Sequence, residues 1–356
     1  MNQTVQPLQS RAPGELLRDQ QDAIAALIER QLAGSGAAQV AASSDAPQGG
    51  TDHLSFLADA MDAGSDALFT SHVAWASVML GRRNMPPADL RRRLELARTA
   101  VHDALHGDAR TLAVEYLDAG IAELQSTSDD LPSCLPPGAP NGALAIDYMA
   151  ALRSGQRHVA SHLVLDAFAA GLPVRDIYLH VFQPAQREVG RLWQLNQITV
   201  AEEHYCTAAT QLIMSQLYPH VFASEKHGGT LVATCVAGDL HEIGLRMVTD
   251  FFEMDGWNTY FLGASTPAQA VLDAVVQQGA QVLGISATMP SHIRRVEELI
   301  RLVRAHPACG RVMILVGGAP FVLAPDLWKT VGASATARDA EEATALVRHL
   351  APMPAR

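Results

Sequence analysis

The C-terminal third of the chain alternates short β-rich runs with helix-like segments, and this pattern constrains the fold more than any other feature. The predicted strands are 230–236, 258–262, 281–286, 311–316 and 333–336. The predicted helices lie near 241–255, 266–278, 290–305, 319–330 and 338–349. Strands joined by helical crossovers run parallel, and helices cover both faces of such a sheet. The sequence therefore predicts a doubly wound α/β domain with five parallel strands over residues 228–351.

Small and polar residues follow three of these strands. They are Asp239, His241 and Gly244 in a D-x-H-x-x-G pattern, Ser286 and Thr288, and the pair Gly317 and Gly318. A lone D-x-H-x-x-G is also typical of an ordinary polar loop, but the three elements together are much rarer. The carboxyl ends of parallel strands meet at one edge of the sheet, where ligands bind in such folds. No G-x-G-x-x-G follows the first strand, which argues against a dinucleotide site.

This arrangement resembles the flavodoxin-like cobalamin-binding domain of methionine synthases, corrinoid methyl carriers and light-sensing cobalamin regulators. The resemblance implies that His241 is the lower axial ligand of cobalt, in place of the cofactor's own dimethylbenzimidazole. It also implies that the displaced base and its nucleotide tail lie beside Ser286, Thr288, Gly317 and Gly318. The residue types suit this use, because cobalt accepts an imidazole nitrogen. Asp239 is placed to hold the other ring N–H, and glycines permit close backbone approach.

Residues 142–224 contain helix-period segments joined by short loops, which predicts an antiparallel bundle of four helices. This bundle resembles the helical cap of the same family. Within it, Trp193 precedes Glu203 and His204 in a W-x9-E-H pattern that resembles cobalamin photoreceptors of the CarH/LitR type. The resemblance implies that the tryptophan packs over the upper axial group and that the Glu-His pair contacts the adenosyl moiety of adenosylcobalamin. The alternative is that Trp193 fills the core and Glu203-His204 opens a helix capped by Thr199.

One position departs from that pattern. In some light-dependent relatives a histidine directly follows the tryptophan and captures cobalt after photolysis, whereas this chain has Gln194. A bis-histidine product through this position is therefore in doubt. His158, His162, His180 and His204 lie in the same bundle and are candidate substitutes, or ordinary core and surface histidines.

The N-terminal part is less informative. Residues 1–52 are predicted to be a flexible segment with one helix, and residues 53–127 a helical domain of three or more helices. No helix-turn-helix with a basic recognition helix is found. The layout resembles photocobilins, which implies a biliverdin chromophore in this domain; otherwise the domain is an interaction module. Arg82, Arg83 and 91–93 are candidate partners for bilin propionates, or solvated helix faces.

Composition excludes several classes of protein. The 356 residues carry a formal net charge of −11, which disfavours nonspecific nucleic-acid binding. Four cysteines without a C-x-x-C pattern indicate neither a zinc site nor a disulfide framework. They suit a reducing compartment. No signal peptide or long apolar stretch is apparent, so we expect a soluble, cytoplasmic protein without membrane association.

The favoured hypothesis is a cobalamin-dependent photoreceptor with no catalytic residue. Adenosyl- or alkylcobalamin, held by His241, would be photolysed at the Co–C bond, and the cap would rearrange. The expected output is a change in the assembly of a homo-oligomer or in the binding of a protein effector. Two alternatives remain open: a corrinoid methyl carrier of a methyltransferase system, and a cobalamin-dependent antirepressor that binds a transcription regulator.

Overall fold

The chain divides into two units, Met1–Thr127 and Ser128–Arg356, and the described residues of the first unit form five helices. The computed structural model describes residues 12–33, 49–128, 130–226 and 229–350. The helices of the first unit are α1 Pro13–Ala33, α2 Gly49–Ala63, α3 Asp66–Gly81, α4 Pro87–Ala104 and α5 Gly107–Ser126.

The first unit includes α1, which packs against α2 and α4. Leu17 and Ile28 of α1 are fully buried, and Arg18 pairs with Asp59 and Asp62 of α2 at 2.6 and 2.7 Å. Gly64 has a φ of 64°, a left-handed conformation that ends α2 and divides the long apolar run after residue 53 into two helices. The predicted flexible run around 34–48 lies outside the described residues.

The second unit begins with the helical bundle that the sequence predicts. Its helices are α6 Gly142–Arg153, α7 Arg157–Ala169, α8 Val174–Ile177, α9 Gln183–Gln194 and α10 Val200–Val221. A π-helical turn, Tyr178–Phe182, joins α8 to α9, so these two form one continuous arm. Pro184 follows directly and has no N–H to donate to the preceding turn, which accounts for the wider turn. The four predicted helices are thus present.

The rest of the second unit is a parallel sheet of five strands in the order β2-β1-β3-β4-β5. The strands are β1 Thr230–Val236, β2 Asn258–Thr266, β3 Val282–Ser286, β4 Met313–Gly317 and β5 Ala335–Thr336. The intervening helices are α11 Ile243–Met254, α12 Ala268–Gln277, α13 Ile293–Ala305, α14 Ala319–Leu323, α15 Leu327–Thr330 and α16 Ala340–Leu350. This strand order confirms the predicted flavodoxin-like fold. The single helix predicted over 319–330 is wrong, because Pro325 separates two short helices there.

The order of the strands positions the site. The chain leaves β1 toward β2 on one side and returns to β3 on the other, which creates a crevice at the carboxyl ends of β1 and β3. Cys235 pairs with Ser286, and Ser286 pairs with Gly317, so the ends of three strands lie in register. The bundle packs against the sheet domain through α11, where Phe251 and Met247 join the same apolar core as Tyr178.

Candidate functional site

Asp239 and His241 form a fixed pair in the loop after β1. The side chain of Asp239 is fully buried, and its Oδ1 accepts the backbone N–H of His241 at 3.0 Å. The same oxygen lies 3.0 Å from Nδ1 of His241, while Oδ2 accepts the backbone N–H of Thr288 at 2.7 Å. The imidazole itself is 63% exposed. With Nδ1 bound to the carboxylate, Nε2 is the ring nitrogen that His241 offers to a ligand.

The electrostatics of this pair keep the carboxylate ionised. Burial alone would raise the pKa of Asp239, but the hydrogen bonds from His241 and the close approach of the His292 ring hold that pKa well below its usual range. In return, the hydrogen bond to Asp239 raises the pKa of His241 against the opposing effect of burial. The charge of Glu203 raises it further. The carboxylate therefore fixes the orientation and tautomer of the ring.

His292 is a site residue that the sequence analysis missed. It lies in a 3-10 turn after β3 and is only 8% exposed. Its Nδ1 lies 3.4 Å from Oδ2 of Asp239 and makes no hydrogen bond of good geometry with the described residues. Asp239 thus lies between two imidazoles. No spacing rule points to His292, because the contact joins residues 53 positions apart.

A cavity of about 160 Å³ opens beside this pair, between α11, the sheet and α16. It is lined by Gly244, Ser286, Gly317 and Gly318, together with apolar side chains of β3, β4 and α11. An apolar cavity of about 150 Å³ can hold one benzene ring, so the space suits a flat ring system. Thr288 does not line the cavity: its backbone N–H binds Asp239 instead.

The two glycines after β4 have different roles. Gly318 has a φ of 108°, and a Cβ there would lie 2.0 Å from the carbonyl oxygen of Ala287. A Cβ at Gly317 would lie 3.4 Å from the carbonyl oxygen of Ala337, an ordinary contact. Gly318 is therefore required by the backbone, whereas Gly317 chiefly leaves space along the cavity.

Glu203, on the helical bundle, is a predicted site residue whose charge raises the pKa of His241. Its Oε1 accepts the hydroxyl of Thr207 at 3.1 Å, and its Oε2 contacts Nδ1 of His204. His204 is 75% exposed. Trp193 is partly buried and packs against the helical core, as in the core-filling interpretation. That interpretation also predicts the helix cap, and Thr199 does cap α10, in a reciprocal pair of hydrogen bonds with Glu202.

The other predicted residues are more dispersed. His158 and His162 are exposed on α7. In the first unit, Arg83 donates to the carbonyl of Met79 at 3.1 Å, and Arg93 pairs with Glu29 at 2.6 Å. These bonds already engage two of the arginines considered for bilin propionates.

Comparison with known proteins defines the class. Residues 229–348 match the family described as the B12 binding domain, and residues 146–218 match a second family of the same description. The chain therefore carries a helical region and a sheet domain that both match B12-binding families, and these matches support a cobalamin-type corrinoid as the cofactor. Among the described residues, no helix is both long and apolar enough to cross a membrane.

Its relatives include methylamine corrinoid proteins. Dimethylamine corrinoid protein 3 of Methanosarcina acetivorans is 30% identical over 128 residues, or 36% of this chain and 59% of that protein. Monomethylamine corrinoid protein 2 of Methanosarcina barkeri is 28% identical over 187 residues, or 51% of this chain and 85% of that protein. The chain spans 56–59% of the length of four of the dimethylamine relatives that it matches, and 76% and 80% of two others.

A solved structure supports the fold. The monomethylamine corrinoid protein of Methanosarcina barkeri aligns with a TM-score of 0.54 at 24% identity, over 59% of this chain and 99% of that chain. At this identity the likeness concerns the fold alone. Together, the relatives favour the corrinoid-carrier alternative over the photoreceptor that the sequence analysis preferred.

Proposed function

We propose that this protein is a corrinoid carrier that binds cobalamin with His241 as the lower axial ligand. The observation that carries the proposal is the geometry of His241: its Nδ1 is held by a buried carboxylate at 3.0 Å, and the ring is 63% exposed. The cavity lined by Gly244, Ser286, Gly317 and Gly318 is where the displaced base of the nucleotide tail would lie. When bound, the corrinoid supplies a cobalt centre whose upper face can carry an alkyl group.

The chain's own residues would hold this cofactor and control its surroundings. Asp239 keeps the imidazole in the tautomer that leaves Nε2 for cobalt, and Thr288 fixes the carboxylate from the other side. Gly317 and Gly318 keep the cavity open along the ends of the strands. In this proposal the protein is a methyl-carrying component rather than a catalyst, and a separate methyltransferase is its partner. The relatives support that use.

A second candidate, the light sensor, has one observation in its favour. Glu203 lies close enough to His241 for its charge to raise the histidine's pKa, and it contacts His204 in the pair that the photoreceptor resemblance singles out. In this function Glu203, His204 and Trp193 hold an adenosyl group, and light releases it. A light-dependent change in homo-oligomer assembly or effector binding, the antirepressor role and a biliverdin in the first unit are parts of this second proposal.

Loading the protein with cobalamin tests the shared part of both functions. Cobalamin's own dimethylbenzimidazole is also a nitrogen ligand, so the readout is electron paramagnetic resonance of the cobalt(II) form in protein that contains ¹⁵N-labelled histidine. The wild type should show the labelled histidine nitrogen on cobalt, and His241→Ala should lose this signature and retain cobalamin at least about tenfold more weakly. His349→Ala, at an exposed position in the last turn of α16, is the matched control and should behave as wild type. Unchanged ligation in His241→Ala would remove it as the lower ligand.

A second experiment separates the two uses. The protein is loaded with methylcobalamin or adenosylcobalamin, and the elution volume in gel filtration is measured in the dark and after green light. Methyl transfer to a thiol is assayed in parallel with a corrinoid methyltransferase. Transfer with a constant elution volume supports the carrier. A light-dependent elution volume that is lost in Glu203→Gln, without transfer, supports the sensor.

A further inference from the structure

Among the polar side chains that line the cavity at Gly244, one makes no hydrogen bond with the part of the chain that the structure describes. Four polar side chains line the cavity: Gln183, Ser286, Arg338 and Asp339. Arg338 and Asp339 bond to Glu342, through its carboxylate at 3.0 Å and its backbone N–H at 2.9 Å, and so serve the start of α16.

Ser286 is also engaged, since its hydroxyl contacts the thiol of Cys235. The amide of Gln183, in contrast, makes no hydrogen bond with any residue that the structure describes. A partly buried amide with two N–H donors and a carbonyl acceptor therefore faces an apolar cavity without a protein partner.

The π-helical turn explains how Gln183 comes to line the cavity. Gln183 directly follows this turn, and its backbone N–H bonds to the carbonyl of Tyr178, five residues earlier. Leu179 and Gln183 both line the cavity, so the bundle contributes one wall of a space otherwise built by the sheet domain. Wide turns of this kind occur often at functional sites.

We infer that Gln183 binds the lower base of the corrinoid and widens the range of bases that the protein accepts, an inference that depends on the proposed corrinoid function. Once His241 has taken the place of the base on cobalt, the ring nitrogen of that base is a buried acceptor that needs a donor. A benzimidazole-type base presents only that acceptor, whereas a purine-type base presents donors and acceptors. The amide of Gln183 matches both patterns by rotation. Gln183 therefore lets the protein bind corrinoids with purine-type as well as benzimidazole-type bases.

The test uses three probes: cobalamin, a corrinoid with an adenine base, and cobinamide, which lacks the nucleotide. Gln183→Leu keeps the approximate size but removes every hydrogen bond. It should weaken the adenine-type corrinoid by about tenfold, cobalamin by less because its base offers the amide a single acceptor, and cobinamide not at all. Gln186→Leu, on the same helix but bonded to Thr210 at 2.8 Å, is the matched control and should leave the order of affinities unchanged.

Gln183→Glu provides a second test that does not depend on packing. An ionised carboxylate only accepts hydrogen bonds, so this variant should disfavour the benzimidazole-type base and tolerate the amino group of adenine. Equal losses for all three probes, or no change with any, would overturn the inference. If wild-type protein binds cobinamide and cobalamin equally, the inference fails but the corrinoid function stands. If it binds neither, the proposed function itself fails.

Discussion

Replacing Gly318 with alanine should destabilise the second unit more than any other single methyl addition at the strand ends. The backbone of Gly318 has φ 108° and ψ 173°, a region that is essentially restricted to glycine and costs other residues about 1–3 kcal/mol. In addition, the new Cβ would lie 2.0 Å from the carbonyl oxygen of Ala287, which is backbone and cannot rotate away. We therefore expect a loss of at least about 3 kcal/mol in the free energy of unfolding.

Urea unfolding, followed by tryptophan fluorescence in a Trp75→Phe background, measures this loss, because the remaining tryptophans, Trp193, Trp257 and Trp328, lie in the second unit. Gly317→Ala is the matched control, because its Cβ would make only an ordinary contact at 3.4 Å. The control should stay within about 1 kcal/mol of wild type, since unstrained surface-side changes rarely exceed this range. Equal stabilities for Gly318→Ala and Gly317→Ala would refute the argument from backbone conformation.

Two further predictions concern buried carboxylates. Asp239→Asn replaces one carboxylate oxygen by an NH₂ group, which then faces a donor, either His241 Nδ1–H or the N–H of Thr288. Cobalamin affinity, measured by spectral titration, should therefore fall about 10–100-fold. Asp326→Asn, at a side chain 85% exposed, should change nothing, and an unaltered affinity in Asp239→Asn would contradict the proposed support of the ligand. Burial raises the pKa of Asp250 from 3.8 to about 7, so the folded state binds more protons than the unfolded state between these values. The contribution of Asp250 to the free energy of unfolding is therefore fully present below about pH 4. It is lost as the pH rises through 7, which lowers stability by up to about 4 kcal/mol. Asp250→Asn should therefore gain stability relative to wild type between pH 5 and pH 8 in urea unfolding; a difference that does not change with pH would argue against the raised pKa.

The sequence predicted the sheet well because its signals are local. β1 and β3 are short buried runs, as expected for parallel strands that are covered on both faces. The residues that follow them are small or polar. The error over 319–330 also had a local cause: Pro325 was present in the sequence, and the residue before a proline disfavours helix. The strand-end motifs implied cobalamin through their resemblance to the cobalamin-binding family, whereas the W-x9-E-H pattern favoured a light sensor that the relatives do not support.

The sequence alone determined that His241 and the glycines after β4 lie at the strand ends, because each follows a predicted strand at a short spacing. Only the tertiary structure decided what surrounds them. It divided the oxygens of Asp239 between His241 and Thr288, and it brought Gln183 to the cavity across the boundary between bundle and sheet. The contacts of Thr288 and Gln183 join segments 49 or more residues apart, as in the bond from Thr288 to Asp239. Packing sets the direction of such side chains, and no local period in the sequence records it.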